Sequence, residues 1–482
     1  MTGYLRAFAL ILALLMSACS TGGNDTATSP THAPTVAAQA PATSTDSVPT
    51  AGPTEARATP TFVPTEPSVE ESPAVTTAPR TATATPAAKA PTNSQDARFD
   101  SIAREVSRLR GLPIRSEIRE DYLTRDQLRE RLEKDLAEEY KPADVEADER
   151  VLAAFGLAPE NIDLRKLYVD LYSGQISGLY DPETQRMYVI SSGRKLNALG
   201  ELTYAHEVTH ALQDQHFDLE KLAEQAEKRD DDASLALQSL VEGDASVLQY
   251  GDYLRTNPDL RDDILQAIQE EQQDAQLPAN VPPIIQETLT FPYEQGAIFV
   301  TTVRGGIQGS WKNVDAVYRD PPTSTEQILH PEKYLQARDE PTKVQVPDLA
   351  PTLGAGWKKL EENMFGEFQS RVLLEGQLDL GDAKNAAAGW DGDEFALYTR
   401  GEQEVVAWQT VWDSTRDAEE FAAALRYYDE SRFGGEFSEQ EGVYILSAKD
   451  QIAAVRQEAD RVHYVLAPSQ ELATNVLGVL TK

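Results

Sequence analysis

The segment Ala205-His206-Glu207-Val208-Thr209-His210 decides how this chain is read. It sits in a run from Leu199 to about Glu227 in which Leu202, Ala205, Val208 and Leu212 recur at helical spacing. One helix with a face in a core is therefore expected over that run. Positions four apart on a helix differ by only about 40° around its axis, so the two imidazoles face one point and can share a metal ion. The glutamate between them can hold a water at that ion and take its proton. With six histidines in 482 residues, this pattern is expected by accident in about one such chain in two hundred.

A tetrahedral zinc catalytic site needs a third protein ligand and keeps one open position. His216 stands ten residues after His206, the spacing of HExxHxxGxxH, but Gln213 occupies the place of the helix-breaking glycine. Without a break, His216 would rise about 9 Å beyond His210 and face elsewhere. Glu242, in Leu240-Val241-Glu242-Gly243-Asp244-Ala245, lies in the most apolar helical run of the chain, Ser234 to Arg255. A carboxylate there is costly unless it is paired or bound to metal. Packing of this second helix across the first would complete a His206, His210, Glu242 set, and the 31 residues between His210 and Glu242 leave room for the return.

HEVTHALQDQHF followed by SLVEGDA resembles the gluzincin group of zinc metallopeptidases, and especially a set of exported bacterial proteins that share this pair. The resemblance covers roughly residues 100 to 400. It implies a mainly helical, zincin-like catalytic domain with a short edge hairpin, one catalytic Zn2+ on His206, His210 and Glu242, and Glu207 as the catalytic base. The usual gluzincin ExxxD is absent, since Ser246 holds the place of its aspartate, and Asp244 is the alternative partner for a zinc histidine. Tyr293 and His330 are the candidates for the group that steadies the transition state.

The hairpin is expected from Gln175–Tyr180 and Arg186–Ile190 around the turn Asp181-Pro182-Glu183-Thr184. Residues 95 to 158 read as charged helices that belong to the fold, with a stripe at Ile102, Val106, Leu109 and Leu112 and a capping box at Thr124–Gln127. A polar helix is expected over Asp262–Gln273, an apolar one over Tyr293–Val303 and a short one over Trp311–Tyr318. A composition break falls near Pro341–Pro351. Beyond it the order is a strand (Val405–Trp412), a helix (Asp417–Tyr428), two strands (Val443–Ser447, Ile452–Leu466) and a helix (Gln470–Leu480). This is a small α+β unit, with Trp408 and Trp412 in its core.

The first nineteen residues carry Arg6, the apolar run Ala7–Met16 and then Ser17-Ala18-Cys19-Ser20. The run is too short to span a bilayer and fits an export signal. Small residues before the single cysteine of the chain resemble a bacterial lipobox, so lipidation of Cys19 is expected. Residues 20–95, rich in Thr, Pro, Ala and Ser, cannot bury enough apolar surface to hold a fold, and a disordered tether is expected there. The expected organisation is thus a signal (1–19), a tether (20–95), a metallopeptidase domain (96–340) and a C-terminal α+β domain (350–482).

One cysteine excludes disulfides and cysteine-based zinc sites. The charge of −35, from 44 basic and 79 acidic residues, excludes a nucleic-acid partner. The expected function is a lipid-anchored, extracytoplasmic zinc metalloendopeptidase acting on peptide or protein substrates at the cell membrane. The alternative is a non-catalytic zinc-containing binding or assembly lipoprotein. Glu207 separates the two, because a structural zinc site has no use for it.

Overall fold

The computed structural model describes residues 94–176, 178–190, 196–271 and 281–482. The export signal and Cys19 lie outside the described residues. So does the tether, except for its last two residues, which open the first helix. Among the described residues no helix is long and apolar enough to cross a membrane.

Helix α1 (Ser94–Arg110) buries Ile102 and Val106 of the predicted stripe and half-buries Leu109, while Leu112 is buried just beyond the helix end. A strand, β1 (Arg119–Leu123), follows and was not anticipated. Helix α2 (Arg125–Glu139) begins at the predicted capping box: Gln127 N–H donates to Thr124 Oγ1 at 3.2 Å, and Thr124 N–H donates to Gln127 Oε1 at 2.9 Å. Helices α3 (Pro142–Phe155) and α4 (Leu164–Gln175) lead into the hairpin β2 (Gly178–Asp181) and β3 (Arg186–Ile190). β1 joins parallel to β3, giving the order β1-β3-β2, so β2 is an edge strand.

Helix α5 (Ala198–Phe217) is capped by the Asn197 side chain, which accepts from Gly200 N–H at 2.8 Å. The expected continuation to Glu227 is corrected. The chain breaks at Asp218, which adopts φ 61°, and resumes as α6 (Leu219–Glu227) with the Asp218 carboxylate capping its first turn. Aspartate tolerates the left-handed region and is also a strong N-cap, so it can stop one helix and start the next without Gly or Pro. The His216 problem is unaffected, because the break comes after Phe217.

Helix α7 (Asp231–Ser246) runs on through a π-helical turn, Val247–Tyr253, to Thr256. Helix α8 spans Pro258–Glu271 and α9 spans Pro283–Arg304, a longer helix than the apolar core of its sequence suggested. α7 and α9 cross at backbone contact: a Cβ on Gly243 would lie 2.2 Å from the Gly296 carbonyl, and one on Gly296 would lie 2.1 Å from Ser239 O. Only glycine permits this approach, which presses α7 between α5 and α9. Leu202, Ala205, Val208 and Leu212 of α5 and Leu235, Leu240 and Leu248 of the second helical run are buried. Each such large side chain contributes on the order of 2 kcal/mol through the area it removes from water.

The C-terminal unit is a seven-stranded antiparallel sheet in the order β4-β5-β6-β10-β9-β8-β7. Its strands are β4 (Lys358–Asn363), β5 (Trp390–Arg400), β6 (Gln403–Trp412), β7 (Ser438–Gln440), β8 (Val443–Ser447), β9 (Ile452–Glu458) and β10 (Arg461–Ala467). The single strand expected over Ile452–Leu466 is in fact the β9–β10 hairpin, turned at Ala459 with φ 52°. Alternation along the strands feeds two cores. Phe395, Leu397, Val406 and Trp408 face α10 (Gly366–Glu375), α11 (Leu380–Ala387) and α12 (Thr415–Phe433). Ala396, Tyr398, Val405 and Ala407 face α13 (Gln470–Leu480). Trp408 and Trp412 are core residues, as expected. The first core is shared with α3: Phe155 packs edge-on against Trp408 and Phe365, and Tyr428 O–H donates to Phe155 O at 2.7 Å.

Candidate metal centre

The α5–α7 crossing brings His206, His210 and Glu242 into one buried group whose ligating atoms all lie within 4.8 Å of one another. Glu242 Oε2 stands 3.1 Å from His206 Nε2 and 3.5 Å from His210 Nε2. The three are 2%, 5% and 1% exposed in the order His206, His210, Glu242. His216 is elsewhere, its Nε2 2.8 Å from Pro113 O.

Two glutamines fix the imidazoles. Gln249 Nε2 donates to Leu202 O at 3.2 Å, which turns its Oε1 toward His206 Nδ1 at 3.3 Å. Gln213 Nε2 donates to Val241 O at 3.0 Å, which turns its Oε1 toward His210 Nδ1 at 2.8 Å. Each Nδ1 therefore carries the proton, and each Nε2 presents a lone pair toward a carboxylate. Lone pairs facing a carboxylate at these distances call for a proton or a metal cation between them. His210 Nε2 is buried and makes no hydrogen bond among the described residues. A donor set of two imidazole nitrogens and one carboxylate oxygen fits zinc with one position open.

The electrostatics are those of a group that attracts positive charge, a proton included. Burial lowers His206. Burial also works against a charged His210, yet the Glu242 carboxylate outweighs it and pushes His210 up to about 9. Burial alone would raise Glu242, but the two histidines hold it below its ordinary value.

Glu207 is fully buried. Its Oε2 accepts from the Tyr180 N–H of the edge strand at 2.8 Å, while Oε1 has no hydrogen-bond partner among the described residues. Burial, reinforced by Glu242 and opposed by His210 and the Tyr180 N–H, pushes it up to about 8. Gly178, at the start of the same strand, passes close above α5: a Cβ there would meet Thr203 Cγ2 at 3.4 Å and Glu207 Cγ at 3.8 Å.

Of the remaining candidates, Tyr293 reaches the site. Its ring stacks on His206 with centroids 6.1 Å apart and planes at 27°. His330 does not; its Nε2 is 2.9 Å from Glu367 Oε1. Asp244 is not a partner of either zinc-type histidine. Both its oxygens accept from Arg110 at 2.7 and 2.9 Å, and Tyr318 O–H adds a third bond at 2.9 Å. This buried pair ties α1 to α7, so the region before residue 158 is integral to the site's scaffold.

Gln213 and Gln249 were missed by the sequence reading. Gln213 was noted only as the residue that spoils a glycine. Gln249 lies seven residues beyond Glu242, on the π-helical turn that changes the register after Ser246.

A second acidic group, Glu326, Asp339 and Asp413, is already closed by Lys333 Nζ at 2.6, 3.2 and 2.6 Å.

Residues 355–477 match the model of a family described as a domain of unknown function (DUF8575). That span is the C-terminal sheet unit and contains none of the residues of the metal centre. No curated protein and no solved structure matches the chain.

Proposed function

We propose that this chain is a gluzincin-type zinc metallopeptidase, held at the extracytoplasmic face of a bacterial cytoplasmic membrane by a lipid on Cys19. The observation that carries the catalytic part is the coincidence of two features. His206, His210 and Glu242 make a buried set of lone pairs that calls for a cation, and Glu207, beside them, keeps one oxygen free of protein partners.

His206 and His210, through Nε2, and Glu242, through a carboxylate oxygen, would hold the zinc. When bound, zinc supplies Lewis acidity, which makes water nucleophilic near neutral pH and polarises a peptide carbonyl. Glu207 does the proton work. Its Oε2 is anchored by Tyr180 N–H, so Oε1 is the atom that accepts a proton from the attacking water and returns it to the departing amine. A carboxylate pushed toward neutrality by burial suits both halves of that task. β2 is an edge strand, so an extended peptide would lie across the metal centre as a strand added to it, with the Tyr180 N–H kept by Glu207.

Glu207→Gln tests this reading. The variant retains size and hydrogen bonding, so zinc content should stay at the wild-type level while peptide hydrolysis falls by about 10²-fold or more. Equal hydrolysis by both proteins would remove Glu207 from the chemistry. The anchor is tested separately by Cys19→Ala, which should move the mature protein from the membrane to the soluble fraction.

A further inference from the structure

A cavity of about 510 Å³ opens beside the metal centre, with His210 and Glu242 in its wall. That is the size of a pocket for a small ligand, or for a long side chain with its neighbours. Its floor is apolar, built from Leu219, Ala223, Leu237 and Val241. Its rim is acidic, from the end of α2, the hairpin turn and α6.

Three rim carboxylates, Glu139, Glu183 and Glu220, have no ion-pair or hydrogen-bond partner among the described residues. Besides His210, the basic residue in the lining among the described residues is Lys141, which directs its ammonium to the Glu138 carbonyl. Glu139 is half-buried, and burial, followed by Asp135, Glu183, Asp181 and Glu138, pushes it up to about 7. Arg131 is already held by Asp135 and Asp181, at 3.1 and 2.5 Å.

An independent feature lies in the same wall. Gln238 lines the cavity, is 8% exposed, and its amide oxygen is buried with no hydrogen-bond partner among the described residues. A buried acceptor without a donor is costly, and a ligand that brings a donor relieves it.

Resting on the peptidase reading, we propose that this cavity is a subsite for a long cationic side chain, lysine or arginine, next to the peptide group presented to His206, His210 and Glu242. The aliphatic stem lies on Leu219, Ala223, Leu237 and Val241, as the stems of such side chains do on apolar surface. The charged head meets Glu139 and Glu183, and a nitrogen of the ligand donates to Gln238 Oε1. A glutamate or aspartate at this position is repelled, so the preferred substrates are basic peptides or basic segments of proteins.

The test uses the full chain, zinc-loaded, carrying Glu207→Gln so that peptides bind without turnover. Fluorescein-labelled extended peptides, identical except for Lys, Arg, norleucine or Glu at one position, are scanned by anisotropy at about 0.15 M salt. Norleucine has the lysine stem without the charge. Lys and Arg should bind about 10-fold more tightly than norleucine at one register, and Glu more weakly still. Adding Glu139→Gln and Glu183→Gln should reduce the Lys-to-norleucine ratio to about 3 or below. Gln matches the neutral form that burial already favours at Glu139. If the double variant does not fold, Glu183→Gln alone, on an exposed turn, should still lower the ratio.

Equal binding of Lys and norleucine overturns the proposal. So does a ratio untouched by the substitutions, which would assign the attraction to the general charge of the chain. Wild-type protein with the same peptides separates this from the peptidase reading. Discrimination without cleavage by the zinc-loaded wild type would sink hydrolysis and spare the cavity, while cleavage with no preference for Lys or Arg would do the reverse.

Discussion

His206 Nε2 and Glu242 Oε2 stand 3.1 Å apart although Gln249 holds the proton on the other ring nitrogen. Two acceptors this close inside a dry site are stable only with positive charge between them. His210 repeats the arrangement through Gln213, and a proton, which His210 takes up readily beside Glu242, does not engage both rings and the carboxylate at once. A divalent ion can.

Removal of the third ligand should therefore separate two otherwise plausible histidine sets. Glu242→Ala should lose zinc under dialysis that leaves the wild type loaded. His216→Ala should retain it, since His216 only reaches Pro113 O at the surface end of α5. Zinc content by elemental analysis decides. Retention in Glu242→Ala together with loss in His216→Ala would assign the third position to His216.

The glutamines should matter to metal affinity without touching the metal. Gln249→Ala and Gln213→Ala free one imidazole each from its hydrogen bond and should each weaken zinc binding by about 10- to 100-fold. Competition with a chelating dye measures this. Wild-type affinity in both variants would mean that packing alone, such as Tyr293 against His206, orients the rings.

Gly243 should tolerate no side chain. In Gly243→Ala the new methyl would fall 2.2 Å from the Gly296 carbonyl, so α7 and α9 must separate and Glu242, the adjacent residue, must move with them. Overpacking of this kind costs about 1–3 kcal/mol, and zinc affinity should fall as well. Thermal unfolding and zinc competition on the same sample check it; a variant with wild-type midpoint and wild-type zinc affinity would contradict the packing described.

The basic-substrate preference should grow with pH. Glu139, pushed up to about 7, is neutral below that pH and charged above it; its strongest neighbours, Asp135 and Glu138 on its own helix and Asp181 and Glu183 on the hairpin, are acidic, and the nearby cations Arg131 and Lys141 are engaged by Asp135 and Asp181 and by the Glu138 carbonyl. A lysine side chain stays charged throughout the range. The Lys-to-norleucine binding ratio should thus rise between pH 6 and pH 8, and the rise should vanish in Glu139→Gln. A ratio that is flat with pH in the parent protein would remove Glu139 from the subsite.

Much of this arrangement can be read from particular residues. HExxH on an amphipathic run places two imidazoles together by helix geometry alone, and a glutamate amid Leu240, Val241 and Ala245 advertises burial. The hairpin announced itself through Asp181-Pro182, and the capping box through Thr124 and Gln127. What was not legible depends on the third dimension or on backbone register. Asp218 ends α5 by adopting a conformation that its neighbours do not signal. Gln249 enters the site because a π-helical turn follows Ser246, a change that no local pattern reports. β1 pairs with β3 across a sequence separation of 67, as in Asp121 beside Tyr188, which only the assembled sheet reveals. Strand β5 was overlooked because Gly392 and Asp393 interrupt its apolar run. Asp393 nevertheless sits in the core, accepting from Phe365 and Gly366 N–H and from the Trp390 and Trp408 indoles at 2.8–3.0 Å.

The central claim is that metal held by His206, His210 and Glu242 drives peptide hydrolysis. The most direct measurement is mass-spectrometric digestion of one mixed peptide library by the purified full chain in three states: as zinc-loaded protein, after chelation, and after one equivalent of zinc is restored. The account predicts cleavage in the first state, none in the second and recovery in the third, with new termini clustering next to Lys or Arg. No cleavage by fully zinc-loaded protein, or cleavage that survives complete removal of the metal, would contradict it.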